Sequence, residues 1–536
     1  MDPLDLTKLP IAEMLSHQVH AHGGEVFLKF RNSEFTYAEV DAMANRFARG
    51  LAAAGVRAGD HVSVMLPNSA DFVHVVLALA KLAVVVVPVN TMNRGESLRH
   101  VLDNSDSSAL VVDAEYLDRL APLLPSLPGL VQIVVRGIDR AAVEGTLPSA
   151  RPQLLADLLS FGDESVCVAA KASDIHAIMY TSGTSGPAKG VLVPHLLALA
   201  NASDVRKFTN CEEKTIYCPL PLFHAAALWD GLFSTILAGA QIAVVERFSA
   251  SRFWDDVRVF DAGVALGVPS MIPILLAAEP TERDKDHPLE TLYMGKSALD
   301  ESFYGRFGVH SVETYTSTEI GVGTGSPYGK WRAGSCGRAN DRRFDVEVVD
   351  EADNFVGLAQ VGELVARPTQ QNVMAAGYYG AAEATAQAFR NHWFHTGDRV
   401  WRDENGYFYF VDRMTDSIRR RGENISAFDI ECAVNLHPSI VECAAIAVPS
   451  ELEEDEVKLV AVLALDAVTT PAELLAFCDA RLPKFAVPRF VEFVEALPKT
   501  ANGKVAKYHL RSIGEAGITA GTWDRTNDKR DFGATE

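Results

Sequence analysis

A hydroxyl- and glycine-rich run, Tyr180-Thr181-Ser182-Gly183-Thr184-Ser185-Gly186-Pro187-Ala188-Lys189-Gly190-Val191, directly follows the apolar segment Ile175 to Tyr180. Its parts suit a polyphosphate: glycines admit anionic oxygens close to the backbone, turn amides and hydroxyls donate hydrogen bonds, and Lys189 adds charge. The ordinary P-loop is excluded, because GxxxxGK[ST] needs a glycine before the lysine and a hydroxyl after it, and here those places hold Ala188 and Gly190. A flexible Ser/Gly loop is the bland alternative. Three more segments carry chemistry. Tyr315-Thr316-Ser317-Thr318-Glu319 joins a ring, hydroxyls and one carboxylate, as a nucleotide with Mg²⁺ requires, or is a Thr/Ser-rich strand end. Asp398, in Trp393-Phe394-His395-Thr396-Gly397-Asp398, offers a carboxylate able to accept from two vicinal ribose hydroxyls, or is a solvated turn residue. Arg413 adds a second sugar or phosphate contact, or a surface ion pair. Lys504, on the turn Pro498 to Lys504, can bridge a substrate carboxylate and an α-phosphate, or be a solvated lysine.

These segments need a scaffold. The 536 residues exceed one ordinary core, so two or more domains are expected. Apolar residues at 48% and charged ones at 22% describe a globular chain. A formal charge of −21 argues against nucleic acid or an anionic membrane as the main partner. Met1 to Pro10 lacks a signal-peptide pattern, and seven scattered cysteines without a CxxC suit a reducing cytoplasm and form no metal site. Phe72 to Val89 is interrupted by His74, Lys81 and Pro88, so it reads as a buried helix and strand rather than a membrane span.

From about residue 35 to 270, helical and strand periods alternate. Helices are expected over Thr36 to Ala54 and Ser69 to Lys81, and strands over His61 to Leu66, Val84 to Val89, Ala109 to Val112, Gln132 to Val135, Gln241 to Val245 and Ala262 to Gly267. This is the βαβ pattern of parallel sheets. After Ser335 the segments Phe344 to Asp350, Gly362 to Pro368 and Tyr407 to Val411 predict a small antiparallel sheet or barrel. A domain boundary is expected at 414/415, before the basic run Arg419 to Arg421, with a helix, strands and another helix following. Gly514 to Glu536 reads as a loose tail.

Taken in order, the four motifs resemble the adenylate-forming superfamily of acyl-CoA ligases, firefly-type luciferases and peptide-synthetase adenylation domains, over roughly residues 30 to 510. Pro219-Leu220-Pro221-Leu222-Phe223-His224, Arg420-Arg421-Gly422-Glu423-Asn424-Ile425-Ser426 and Lys484-Phe485-Ala486-Val487-Pro488-Arg489 make it most similar to medium- or aryl-type acyl-CoA ligases, including the carnitine and crotonobetaine CoA ligases. The resemblance implies an α/β fold: a large N-terminal domain (1–414) of two βαβ-type subdomains and a small barrel-like one, then a small mobile α+β domain (415–536) hinged near 412–416, at Thr415. It implies that a carboxylate attacks MgATP to give acyl-AMP and that coenzyme A then displaces AMP. Thr181, Ser182, Gly183, Thr184, Ser185, Gly186 and Lys189 would hold the β- and γ-phosphates, Glu319 would place Mg²⁺, and Thr318 would contact the α-phosphate. Tyr315 would pack on adenine, Asp398 and Arg413 would hold the ribose, and Lys504 would act in adenylation. The pantetheine channel would pass Gly422 and His224, with Arg419 to Arg421 as candidates for coenzyme A phosphates.

Candidate acyl-pocket residues are Phe223, Ala225 to Trp229, Val268, Met294, Gly295, Lys296 and Thr316. Three positions depart from the family pattern: Thr316 and Lys296 stand where small residues are usual, and Thr415 where the hinge is often Lys or Asp. Thr316 narrows the pocket, and Lys296 needs an anionic partner if it projects inward. The main expectation is a full acyl-CoA ligase of a specialised biosynthetic or catabolic acid. Alternatives are an enzyme that makes thioester only from ready-made acyl-AMP, an adenylation enzyme loading a separate carrier protein, and a non-catalytic binding homologue; a homodimer stays open.

Overall fold

The computed structural model describes residues 5–147, 152–181, 188–269, 271–294, 297–413, 417–420, 423–449, 455–465, 467–479, 481–482, 486–499, 505–514 and 517–527. The chain divides into two compact units. The first comprises residues 1–346, 366–394 and 404–409, and the second 347–365, 395–403 and 410–536.

The first unit is built on two seven-stranded sheets. One runs, in spatial order, Gln153–Leu154, Gln132–Arg136, Ala109–Asp113, His61–Met65, Val85–Pro88, Ile175–Thr181, Lys189–Pro194. Its neighbours are parallel except the last pair, which is antiparallel and carries the phosphate-loop candidate at its turn. The other runs His310–Val312, Thr291–Tyr293, Ala262–Leu266, Thr215–Cys218, Gln241–Val244, Val26–Phe30, Ser33–Thr36, again parallel up to a final antiparallel pair. Crossover helices are what parallel neighbours require. Tyr37–Ala53 starts at a capping box in which the Thr36 hydroxyl and the Glu39 carboxylate each bond the other's backbone N–H. Ala70–Lys81 starts under the Ser69 hydroxyl and is buried from Phe72 onward. The apolar run read as helix plus strand is therefore Ala70–Lys81 followed by Val85–Pro88. Its lysine is fully buried against Asp41 at 2.7 Å. Side chains of both sheets meet in one continuous core that includes Val64, Val75, Phe208, Ile216 and Val264.

The β-rich stretch gives a three-stranded sheet, Tyr315–Ser317, Gly321–Gly325 and Arg338–Ala339. It also gives a four-stranded sheet, Phe344–Val349, Gly362–Pro368, Phe394–Arg402 and Phe408–Arg413.

In the second unit, Ser417–Arg420 pairs with Glu423–Ser426, and Ile440–Pro449, Asp455–Leu463, Phe490–Phe493 and Trp523–Asp524 form a sheet in that order. Helices Ala427–Val434, Pro471–Asp479 and Lys507–Ser512 complete it. The expected loose tail is corrected here for the described residues. Trp523–Asp524 is an edge strand, Asp524 pairs with Arg489 at 3.1 Å, and the buried Lys458 ammonium bonds Glu492, the Gly517 carbonyl at 2.6 Å and the Thr522 hydroxyl at 3.0 Å. Buried ammonium groups require such partners, and the tail supplies them.

Candidate functional site

Ile175–Thr181 and Lys189–Pro194 hold the two ends of the phosphate-loop candidate in register, with Thr181 opposite Lys189. Gly190 is needed on the second strand because a Cβ there would come 2.6 Å from Ile178 Cγ2. Both ends are anchored to helix Gly95–Asn104: the Tyr180 hydroxyl donates to Asn104 Oδ1 at 2.7 Å, and His100 Nε2 donates to the Ala188 carbonyl at 2.9 Å. Thr181 is half-buried and Lys189 exposed, while Ser182, Gly183, Thr184, Ser185 and Gly186 lie outside the described residues.

A second segment, Ala375 to Tyr379, laces this strand to the Tyr315–Glu319 motif. Leu192 N donates to the Gly377 carbonyl at 2.9 Å and Tyr379 N to the Gly190 carbonyl at 2.7 Å, while Ala375 N donates to the Glu319 carbonyl at 2.7 Å. Two tyrosines complete the lacing. Tyr378 Oη donates to Glu319 Oε1 at 2.9 Å, with the Lys189 ammonium 5.2 Å from its ring centroid, and Tyr379 Oη donates to Asp106 Oδ2 at 2.7 Å. Burial, and next the Glu319 charge, push the Tyr378 hydroxyl well above the ordinary tyrosine range, so it stays a donor. Sequence reading did not single out Tyr378, which stands 59 residues from Glu319.

Within the motif, Tyr315 is 7% exposed, and Thr316, Thr318 and Glu319 are half-buried. The turn after Glu319 passes through Gly321 at φ 61°, where a Cβ would lie 2.7 Å from Asn201 Oδ1. Ser317 Oγ is buried without a hydrogen-bond partner among the described residues. An unmet hydroxyl two residues before a carboxylate whose one hydrogen-bond partner among the described residues is a neutral phenol fits a site that takes phosphate oxygens and a divalent cation. No group of three or more His, Cys, Asp and Glu side chains among the described residues could hold a metal ion. A single carboxylate suits Mg²⁺, which keeps its waters and takes substrate phosphates as ligands.

The pocket candidates all belong to the first unit, on the segment Phe223 to Trp229, just after the strands Ala262–Leu266 and Thr291–Tyr293, and at Thr316. Phe223 is buried and His224 half-buried, with its carbonyl accepting from Leu228 N at 2.9 Å at the start of a π-helix, Ala226–Phe233. Such helices recur at functional sites. Ala225 is half-buried, whereas Trp229 is 1% exposed and its indole N–H has no partner among the described residues. Beside it Asp230 is fully buried, takes a hydrogen bond from Asn201 Nδ2, and is pushed up to about 8 by burial. Val268 and Met294 are half-buried, and Met294 holds a left-handed φ of 62° at the end of its strand. That conformation is costly for a non-glycine residue and clusters at functional sites. Gly295 and Lys296 lie outside the described residues.

Asp398 belongs to the second unit. It is buried, and its backbone N–H bonds the Thr396 hydroxyl at 3.1 Å. Gly397, at φ 72°, donates its N–H to Glu363 Oε1 at 2.8 Å, and the other oxygen of Glu363 meets His395 Nδ1 at 2.8 Å. Arg420 is committed to this unit's fold: it pairs with Glu456 at 2.7 Å and donates to the Val487 carbonyl at 3.0 Å. The side chains of Arg413 and Arg419, and residues Thr415, Arg421, Gly422 and Lys504, lie outside the described residues.

The sequence profile of AMP-binding enzymes matches residues 15–379, and that of the AMP-binding enzyme C-terminal domain matches residues 429–504. The chain belongs to the AMP-binding enzyme family. Among curated proteins, this AMP-binding enzyme is 30% identical over 506 residues to the crotonobetaine/carnitine–CoA ligase of Salmonella typhi, covering 91% of this chain and 96% of that one. It is 29% identical over 515 residues to the ligase of the same name from Citrobacter koseri, covering 94% and 98%. Among solved structures it is similar to the anthranilate CoA ligase AuaEII in complex with anthranoyl-AMP, with TM-score 0.86 at 23% identity over 95% of this chain and 98% of that one. A benzoate CoA ligase from Burkholderia xenovorans gives TM-score 0.83 at 22% identity over 94% and 100%. This AMP-binding enzyme is an ATP-dependent carboxylic acid–CoA ligase of mixed α/β fold, with ATP and coenzyme A as its co-substrates. Among the described residues no helix is long and apolar enough to cross a membrane.

Proposed function

We propose that the enzyme works in two steps on a small carboxylic acid, through an acyl-AMP intermediate. The acid's carboxylate attacks the α-phosphorus of ATP, the bond to the β-phosphate oxygen breaks, and pyrophosphate leaves. The thiol of coenzyme A, losing its proton, then attacks the acyl carbon and AMP departs. The observation that carries this reading is the meeting of Glu319, Tyr378 and Lys189, which joins the phosphate-loop flank to the only carboxylate of the Tyr315–Glu319 motif.

In this reading the backbone and hydroxyls from Thr181 to Gly186, with Lys189, hold the β- and γ-phosphates, and Thr318 and the unmet Ser317 hydroxyl receive phosphate oxygens. Tyr315 packs on adenine, and Asp398 with Arg413 holds the ribose. Glu319 would hold Mg²⁺, which when bound supplies charge neutralisation to the polyphosphate. Lys504 stabilises charge as the carboxylate attacks. Residues 415–536 rotate about a hinge at 412–416 between the two steps, withdrawing Lys504 and opening a pantetheine path past Gly422 and His224, with Arg419 and Arg421 on the coenzyme A phosphates. Phe223, Ala225, Trp229, Val268, Met294, Gly295, Lys296 and Thr316 shape the acyl pocket.

The test is to separate the steps. Lys504→Ala is expected to depress ATP–pyrophosphate exchange by about 100-fold or more, the scale on which a main charge-stabilising group acts. Thioester formation from synthetic acyl-AMP should be spared. Loss of both to the same degree would refute the rotation. A wild-type chain that forms thioester from acyl-AMP yet exchanges no pyrophosphate with any acid of a broad panel would instead mark adenylation as impaired, through Thr316 and Lys296. The same panel identifies the acid.

A further inference from the structure

A carboxylate that holds a divalent cation has to stay ionised and keep one orientation. An arginine or lysine partner would orient it but would compete electrostatically with the cation. A neutral donor fixes it without that penalty. Glu319 has the neutral kind: among the described residues the Tyr378 hydroxyl is the one hydrogen-bond partner of its carboxylate, at 2.9 Å. The same ring turns its π-system to the Lys189 ammonium, 5.2 Å from the centroid, so one side chain spaces the metal-side anion and the phosphate-side cation. Tyr378 is itself fixed. Its backbone N–H bonds the Thr385 hydroxyl at 2.9 Å, and it bridges Val191 on the strand that leaves the loop. Flanking bonds from Leu192 N to the Gly377 carbonyl and from Tyr379 N to the Gly190 carbonyl hold it on both sides.

We propose that Tyr378 is a positioning residue for nucleotide capture: it orients Glu319 toward the divalent cation and seats Lys189 toward the polyphosphate, so that it governs how much the metal strengthens ATP binding. This rests on the reading of Glu319 as the metal-holding carboxylate. Tyr378→Phe keeps the ring under Lys189 and removes only the donor to Glu319. Binding to the full chain is measured by calorimetry with MgATP and with ATP in excess chelator. The variant is expected to bind MgATP about tenfold more weakly, the lower end of what the loss of a ligand-orienting partner costs in metal affinity, and to bind metal-free ATP as the wild type does. A cooperative urea unfolding transition shows that the variant is folded. Equal weakening of both nucleotide forms, or no change in either, overturns the proposal. Glu319→Gln separates the two levels. If it leaves the advantage of MgATP over ATP intact, the metal reading fails and the proposal with it. If it abolishes that advantage while Tyr378→Phe does not, the assignment of Tyr378 alone is overturned.

Discussion

Asp230 sits inside a π-helix with its carboxyl fully buried, bonded by the Asn201 amide and held at about 8 by burial. In the unfolded chain the group ionises near 3.8. Between those values the folded state keeps a proton that the unfolded state has lost. Its contribution to stability is therefore greatest at low pH, declines as pH rises toward about 8, and is flat beyond. Asp230→Asn carries no such proton, so its stability relative to wild type should increase from about pH 5 to pH 8. Urea midpoints of the two proteins that stay parallel across this range would count against the assignment. His74, lowered to about 4 by burial, changes stability in the opposite sense, but it is common to both proteins and cancels. Motif residues such as Glu319 and Asp398 were visible in the sequence as candidates, because type and spacing announced them. Asp230 and Tyr378 were not, because a lone aspartate in an apolar run and a tyrosine beside a second tyrosine gain meaning only from what the fold sets against them.

At the scale of elements, the long helices and parallel strands could be read because one apolar face repeats at the helical or strand period. Helix Ala70–Lys81 shows both the strength and the limit of that reading. Its apolar residues predict burial, and Lys81, which looked like an interruption, is buried with them by pairing with Asp41 on helix Tyr37–Ala53. Removing one member of a buried pair strands the other, at a cost of about 3–5 kcal/mol, whereas replacing both by apolar groups is often nearly neutral. Lys81→Ala should therefore lower the urea midpoint sharply, and Lys81→Met combined with Asp41→Leu should recover most of the loss. A double variant as unstable as the single one would show that the charges themselves are required. Strand Trp523–Asp524 was missed for the converse reason: two residues have no period, and their place depends on Arg489 and Phe490 more than thirty positions earlier.

At the scale of the molecule, a chain of net charge −21 that takes anionic substrates needs local cations to hold them, the role proposed for Lys189. It is expected to pass unretained over immobilised DNA at physiological salt, and salt-sensitive retention would reverse that expectation. The two units place a further constraint on how the protein can be handled. Their boundaries fall at 346, 365, 394, 403 and 409, so the chain passes from one unit to the other and back repeatedly before its last stretch. A linear reading assigns a boundary as one position and cannot see such interleaving. Dissection by a single cut therefore cannot yield both units whole: any fragment long enough to contain all of one carries pieces of the other, and recovering activity from halves would demand reassembly rather than simple mixing of finished parts.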